Sequence, residues 1–337
     1  MHTQAAYIKA PWQVSLREVD LPDSPPPGWI RLRVDACGIC GSDLNAARAE
    51  AADWQPFGHE VAGTVETVGH GVDRVEPGQR VVLESGSFCG RCALCRDGRV
   101  DLCNKAPGFW GQPAMGFART MDAPALAAVP YDGLLPQVAC LAEPTGVAID
   151  VLETAEVELG QRVCVIGPGP IGLMAAALAL ARGASGVVVV GRGRSQARLE
   201  LAGRLGTEVL AIDGDLADRD DLARQFDHVL LCAPPELAEP CLALLGYGGR
   251  LTYIGVATRP TRIGFDANDF HFRKLQIRAS FASPALYFPT ALRLLAAGRI
   301  PGENLVSHVL PLERLGEAMS LHRDEPGRCV KVVIVPD

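Results

Sequence analysis

Four cysteines, Cys89, Cys92, Cys95 and Cys103, follow the spacing C-x2-C-x2-C-x7-C, with Gly90 and Gly98 between them to permit tight turns. Four thiolates so spaced close a tetrahedron around Zn²⁺ and leave no position open, which is the pattern of a structural site. The alternatives are unrelated reduced cysteines, a redox switch or an iron–sulfur cluster, and the last lacks a second cysteine group and a ferredoxin-type spacing. Earlier stand Cys37-Gly38-Ile39-Cys40-Gly41-Ser42-Asp43 and, sixteen residues after Asp43, His59 within Gly58-His59-Glu60. A thiolate and an imidazole from separate loops hold a second zinc if a carboxylate from elsewhere completes three protein ligands, leaving room for water or substrate. A third grouping, Gly167-Pro168-Gly169-Pro170-Ile171-Gly172, follows the apolar run Val163–Ile166 and precedes the helical stretch from Leu173 to Leu178. There the first glycine allows the tight turn, the second lets the backbone approach a pyrophosphate, and the third lets helix and strand pack closely. A nicotinamide or a flavin dinucleotide fits that turn.

These groups need two different scaffolds. The chain has 337 residues, which suits two domains rather than one core. Its first third is rich in Gly and Pro with short β-branched runs at Ile30–Val34, Val61–Val68 and Arg80–Leu83, punctuated by Pro25-Pro26-Pro27-Gly28 and Glu76-Pro77-Gly78-Gln79. A β-rich domain over residues 1–145 is expected, with the cysteine lobe at about 86–105. From Gly146 apolar runs alternate with helical stretches, as in βαβ units around a parallel sheet. Strands are expected at Arg162–Gly167, Val187–Gly191, Glu208–Ile212, His228–Cys232, Arg250–Gly255 and Gln276–Phe281, a doubly wound set spanning residues 146–280. A helix at Pro289–Ala297 and a strand at Cys329–Val335 make residues 281–337 a return to the first domain.

Composition narrows the partners. Hydrophobic residues at 48% and charged residues at 21% describe a folded globular chain. A formal charge of −7 with no Lys/Arg run gives no footprint for nucleic acid. Met1-His2-Thr3-Gln4 lacks the basic and apolar regions of a signal peptide, and Gly167 to Pro170 with Arg182 break the one segment apolar enough to suggest a membrane span. The expectations are a cytoplasmic protein with no membrane or nucleic-acid partner. Its odd number of cysteines, eleven, fits metal binding better than disulfides.

In these groupings, together with Gly58-His59-Glu60-Val61-Ala62-Gly63, Val68-Gly69 and Glu143-Pro144, the sequence resembles the zinc-containing medium-chain alcohol dehydrogenase family, in its sorbitol, threonine and polyol dehydrogenase branch. The resemblance implies a GroES-like β-rich catalytic domain joined to a Rossmann domain, a nicotinamide cofactor and two zinc ions per chain. It implies Cys40 and His59 as catalytic zinc ligands, Asp43 as the carboxylate that orients the histidine, Ser42 as the hydroxyl that relays the substrate proton, and Glu60 as a nearby carboxylate able to approach the metal. The polyol branch carries a glutamate before proline as its third ligand, which points to Glu143. Cys37 and Cys140 do not fall where the family's ligands do and are read as small buried hydrophobes. The other histidines, His2, His70, His228, His271, His308 and His322, are read as surface or satisfied core residues. One departure is Asn45, where many members carry a histidine, because an amide does not titrate near neutral pH.

The second strand of the dinucleotide unit ends at Gly191-Arg192-Gly193-Arg194, where an NAD-binding chain presents an acid to the adenosine ribose. Gly191 leaves room there, and Arg192 with Arg194 can pair with a 2′-phosphate, so NADP is favoured over NAD. The expected function is hydride transfer between NADP and a secondary alcohol (a polyol, cyclitol, sugar or hydroxy-amino acid), with metal and cofactor meeting between the domains of a homodimer or homotetramer. The competing expectations are a zinc-free quinone or enone reductase and a non-catalytic dinucleotide- and zinc-binding protein; neither requires Cys40, His59 and Glu143 together. Trp54, Phe57, Phe109, Trp110 and Phe288 are candidates to line the substrate pocket.

Overall fold

The computed structural model describes residues 1–105, 107–257 and 259–336. The chain divides into two compact units, one of Met1–Gly146, Ala282–Glu325 and the residues from Lys331, the other of Val147–Phe281 and Pro326–Val330.

The first unit opens with the hairpin β1 (His2–Lys9) and β2 (Gln13–Asp20), followed by β3 (Trp29–Gly38), α1 (Gly41–Asn45), β4 (Gln55–Pro56), β5 (Glu60–Val68), β6 (Arg80–Leu83), α2 (Ala93–Arg96), β7 (Thr120–Pro124), β8 (Ala128–Pro130) and α3 (Pro136–Ala139). Then α4 (Ala142–Ala155) carries the chain past Gly146. The three expected β-branched runs lie in β3, β5 and β6. β5 runs antiparallel beside β3 along its whole length and begins at the pair Gly38↔Glu60, so the candidate metal ligands Cys40 and His59 leave adjacent strand ends. The other edge of β3 is shared: β7 covers Trp29–Arg33, and the chain's last strand covers Cys37 and Gly38.

The second unit runs β9 (Arg162–Ile166), α5 (Pro170–Ala181), β10 (Gly186–Gly191), α6 (Gln196–Arg204), β11 (Glu208–Ala211), β12 (Phe226–Leu231), α7 (Ala238–Leu244), β13 (Leu245–Tyr253), α8 (Ala267–Phe272) and β14 (Gln276–Ala279). Its six strands are all parallel in the order β11-β10-β9-β12-β13-β14, the doubly wound arrangement. The β9 residues Val163, Cys164, Val165 and Ile166 are all buried, as a strand covered on both faces must be. At about 1.5–3 kcal/mol for each fully buried aliphatic side chain, this central strand anchors the glycine turn that follows it.

The chain returns to the first unit through α9 (Phe288–Ala296), α10 (Gly302–Leu305), β15 (Val306–Pro311), α11 (Leu315–Asp324) and β16 (Lys331–Val335). The tail does not belong wholly to the first unit, as the sequence suggests: Pro326–Val330 groups with the second. α6 holds it there, since the Ala197 N–H donates to Gly327 O at 3.0 Å and Arg198 Nε donates to Cys329 O at 2.7 Å. The fifth strand of the parallel sheet also starts earlier than Arg250, at Leu245; a register shift against β12 between Phe226 and His228, and Gly248 at φ +74°, let it continue through four residues that include three glycines. Among the described residues no helix is long and apolar enough to cross a membrane.

Candidate active site and cofactor turn

Cys40 caps the N-terminus of α1, and its N–H donates to Asp43 Oδ2 at 2.9 Å, which fixes the turn that presents the thiol. His59 stands in the residue before β5, and its Nδ1 lies 3.7 Å from Asp43 Oδ1. The structure brings Cys40, His59 and Glu60 together, with one ligand-capable atom of each within 4.8 Å of the others. Glu143, in the first turn of α4, stands outside that triad; it is 7% exposed, its carboxylate accepts from Ser85 Oγ at 3.2 Å, and its charge acts on His59. The two glutamates differ in what they hold. Both oxygens of Glu60 accept from Lys331 Nζ, at 2.6 and 2.7 Å, whereas Glu143 accepts from the neutral Ser85 hydroxyl. Ser42 is exposed in the first turn of α1, and Asn45 Oδ1 accepts from Arg48 Nη2 at 3.3 Å.

The electrostatics fit a cation. Burial pushes the carboxyls of Asp43 and Glu143 up, and the charge of His59 pulls each back. Burial alone would lower His59, but the negative charges of Cys40 and Asp43 outweigh it and hold the imidazole well above its ordinary range. A thiol and three buried carboxylates thus face one ammonium and one imidazole, and among the described residues His59 Nδ1 has no hydrogen-bond partner. A divalent ion among them would settle that imbalance.

The cysteine lobe is built for a metal in a different way. Sγ atoms of Cys89 and Cys95, and of Cys92 and Cys103, stand 4.0 Å apart, and all four ligand atoms lie within 4.8 Å. A tetrahedron with Zn–S bonds of ~2.3 Å has edges of ~3.8 Å, whereas a disulfide needs ~2.05 Å. N–H groups of Arg91 and Cys92 draw Cys89 down to about 6. Cys95 is pushed up to about 12 by desolvation and by the neighbouring sulfurs, so four thiolates need a cation among them.

In the dinucleotide turn Gly167 takes φ +104°, and a Cβ there would stand 2.7 Å from Cys232 O. Gly169 caps α5, Pro170 occupies its first position, where the missing N–H costs nothing, and Ile171 follows. A Cβ on Gly172 would collide with Gly167 O. At the end of β10 the structure adds a reason for glycine that the sequence hides: a Cβ on Gly191 would meet Pro168 Cγ at 2.6 Å and Leu199 Cδ2 at 2.9 Å. Gly191 therefore makes room for its neighbours, not only for a cofactor. Arg192 is exposed, and its Nη1 donates to Ile212 O at 3.3 Å and Gly214 O at 2.6 Å; Arg194 is also exposed. An acid does stand nearby, after β11 and not β10: Asp213 Oδ1 accepts the Gly193 N–H at 2.9 Å.

Cys37 and Cys140 are buried, and desolvation pushes both thiols up. Of the aromatic candidates, Phe57, Phe109 and Phe288 are buried, and Trp54 lies under Arg17. Trp110, 56% exposed, lies against His59 with ring centroids 5.2 Å apart and donates its indole N–H to Ser85 O at 2.5 Å. His228 is buried, with Nε2 2.7 Å from Gln161 Oε1. Sequence reasoning missed Ser85, which has no local signal, and Lys331, whose signal is a lone cation beside the apolar run of β16.

Residues 26–137 match the alcohol dehydrogenase GroES-like domain, and residues 170–297 match the zinc-binding dehydrogenase domain. The chain is 30% identical to a sorbitol dehydrogenase of Bacillus subtilis (strain 168), covering 100% of this chain and 99% of that one. A protein of Sinorhizobium meliloti 1021 described as a zinc-binding dehydrogenase and solved bound to NADP has TM-score 0.87 and 27% identity, covering 100% of both chains. An alcohol dehydrogenase from E. coli CFT073 complexed with NADH has TM-score 0.86 and 26% identity, covering 99% of both.

Proposed function

The chain belongs to the zinc-binding medium-chain alcohol and polyol dehydrogenase family, as an NAD(P)-dependent dehydrogenase, and from that premise we propose that it interconverts a secondary alcohol and its ketone with NADP favoured over NAD. The substrate class proposed is a polyol, cyclitol, sugar or hydroxy-amino acid, in line with the sorbitol dehydrogenase relative.

The observation that carries this reading is the meeting of Cys40, His59 and the buried Glu60 at adjacent strand ends of one sheet, with the buried Glu143 near enough for its charge to act on His59. Cys40, His59 and Glu143 would hold the catalytic zinc, and the four-cysteine lobe a second. Glu143 is preferred to Glu60 because both Glu60 oxygens are already bound by an ammonium. Zinc supplies a Lewis acid that lowers the pKa of an alcohol O–H or polarises a ketone, and the nicotinamide supplies the hydride acceptor or donor. Asp43 holds the Cys40 turn and sets its charge against His59. Ser42, exposed beside the thiol, takes the hydroxyl proton and passes it to water, since Asn45 cannot accept it. Trp110 forms an aromatic wall next to His59. The Gly167–Gly172 turn receives the pyrophosphate, and Arg192, whose grip on Ile212 O and Gly214 O uses only Nη1, turns its remaining N–H groups to a 2′-phosphate.

A homo-oligomer in the cytoplasm completes the proposal. β14 is an edge strand, flanked by Phe272 and Phe281 at 72% and 75% exposed, a surface that pairing with a second copy would cover. The test is a panel of polyols, cyclitols and simple secondary alcohols assayed with NADP and NAD separately, alongside metal analysis of Glu143→Ala. Two zinc ions per parent chain, one in the variant, and turnover of a secondary alcohol are expected. Two zinc ions in a turnover-competent Glu143→Ala would sink the ligand assignment.

A further inference from the structure

β11 runs parallel beside β10 with Val190↔Leu210 and Gly191↔Ala211, so the carboxyl ends of the two strands stand side by side, at the edge where a doubly wound sheet binds its dinucleotide. The segments leaving those ends interlock. The Ile212 N–H donates to Gly191 O at 2.8 Å, Arg192 Nη1 donates to Ile212 O at 3.3 Å and to Gly214 O at 2.6 Å, and the Gly193 N–H donates to Asp213 Oδ1 at 2.9 Å. The two glycines face different neighbours. A Cβ on Gly191 would meet Pro168 and Leu199, whereas a Cβ on Gly193 would stand 2.8 Å from Asp213 Oδ2 and 3.5 Å from its Cγ. The carboxylate therefore lies in the space that a side chain at 193 would enter, roughly twenty residues past Gly172, where a dinucleotide-binding chain presents its acid to the ribose. Asp213 is exposed, and the Gly193 N–H takes only one of the about four acceptor sites of its carboxylate.

We propose that Asp213 is the ribose-recognising acid of this chain, supplied by the segment after β11 in place of β10: its remaining acceptor sites take the adenosine 2′-hydroxyl of NAD, and its charge opposes the 2′-phosphate of NADP. Arg192, bonded to the carbonyls on either side of Asp213, holds a guanidinium at the same corner, so one residue favours the phosphate and the other the hydroxyl. Together they narrow the preference for NADP and let both dinucleotides bind. The proposal rests on the reading of Gly167–Gly172 as the pyrophosphate turn. An asparagine at 213 removes the charge but keeps an oxygen for the Gly193 N–H, which separates recognition of the ribose from support of the loop.

The experiment is fluorescence titration of the full-length chain with NADH and NADPH separately, with circular dichroism reporting folding. Asp213→Asn is expected to weaken NADH roughly tenfold, the scale of a lost hydrogen bond to a charged group, and to tighten NADPH several-fold as the like charge beside the phosphate is removed. Asp213→Ala, which also gives up the Gly193 hydrogen bond, is expected to move the ratio of the two affinities in the same direction. An unchanged ratio in Asp213→Asn overturns the proposal, and so does an equal loss for both cofactors, the mark of a residue that only supports the loop. Arg192→Ala, titrated alongside, is expected to lose NADPH affinity alone. If it does not, while Asp213→Asn still moves the ratio, the phosphate role of Arg192 fails and the role of Asp213 stands. A parent chain that binds neither dinucleotide removes the reading of the turn, and this proposal with it.

Discussion

Replacing Gly191 with Asp is the change that ribose recognition invites in a chain meant to prefer NAD, and the structure makes it costly. The added Cβ would stand 2.6 Å from Pro168 Cγ and 2.9 Å from both Pro168 Cδ and Leu199 Cδ2, where carbon atoms pack no closer than about 3.5 Å. Leu199 can turn aside; the Pro168 ring cannot. It is fixed between Gly167, at φ +104°, and Gly169, which caps α5, so a shift of roughly 1 Å must be taken up by the turn itself. Overpacking of this kind costs about 1–3 kcal/mol, and it falls on the backbone that receives the pyrophosphate. With about 1.4 kcal/mol for each tenfold, affinity for either dinucleotide should drop roughly 5- to 150-fold. Urea midpoints, and fluorescence titrations with NADH and NADPH separately, test this. Gly191→Asp should lose stability and bind both cofactors more weakly, and Pro168→Ala in the same background should recover part of the stability. An unchanged midpoint with tighter NADH binding would refute the steric reasoning.

Arg192→Ala should weaken NADPH by about 1.5–3 kcal/mol, the scale of a hydrogen bond to a charged group, and leave NADH nearly unaffected; equal losses for both in a titration would remove the 2′-phosphate role. Cys95→Ser should lose the lobe zinc and chiefly cost stability while the catalytic zinc remains, so elemental analysis should find one zinc per chain; two would contradict a four-thiolate site. Glu84, 8% exposed, is pushed up to about 7 by burial, against the pull of the Ser87 hydroxyl and the Arg74 charge. The folded state therefore binds the proton more tightly than the unfolded chain, and its stabilising effect, full below pH ~4.5, is lost as pH rises through about 7. Urea unfolding of the parent should lose about 2–3 kcal/mol relative to Glu84→Gln between pH 5 and 8.5, and parallel pH profiles would count against a buried, neutral Glu84.

Much of this protein is legible in its sequence, because the informative features are local. The spacing of Cys89, Cys92, Cys95 and Cys103 within one lobe brings four sulfurs to tetrahedral separation, since short loops with Gly90 at φ +69° and Gly98 at φ +79° leave the chain few other courses. The alternation of apolar runs with helical stretches marks a parallel sheet in the same way, through hydrophobic periodicity that each segment carries by itself. The placement of Pro326–Val330 is not legible, because it depends on two hydrogen bonds from α6, more than a hundred residues earlier.

The sequence by itself determines the chemistry on offer: a closed thiolate site, a thiolate and imidazole pair, and a glycine turn, all of them short-range patterns. Only the tertiary structure decides which groups are available for it. The resemblance singles out Glu143 and leaves Glu60 as a nearby carboxylate without saying what either touches; in the fold Glu60 is bound by Lys331 at a sequence distance of 271 residues, while Glu143 accepts from the Ser85 hydroxyl. Gly191 looks like space for a phosphate until Pro168 and Leu199 are found filling it. Availability follows from the counter-charge and the volume packed beside a residue, and in a fold whose last strand pairs beside Gly38 those neighbours come from chain that local spacing does not reach.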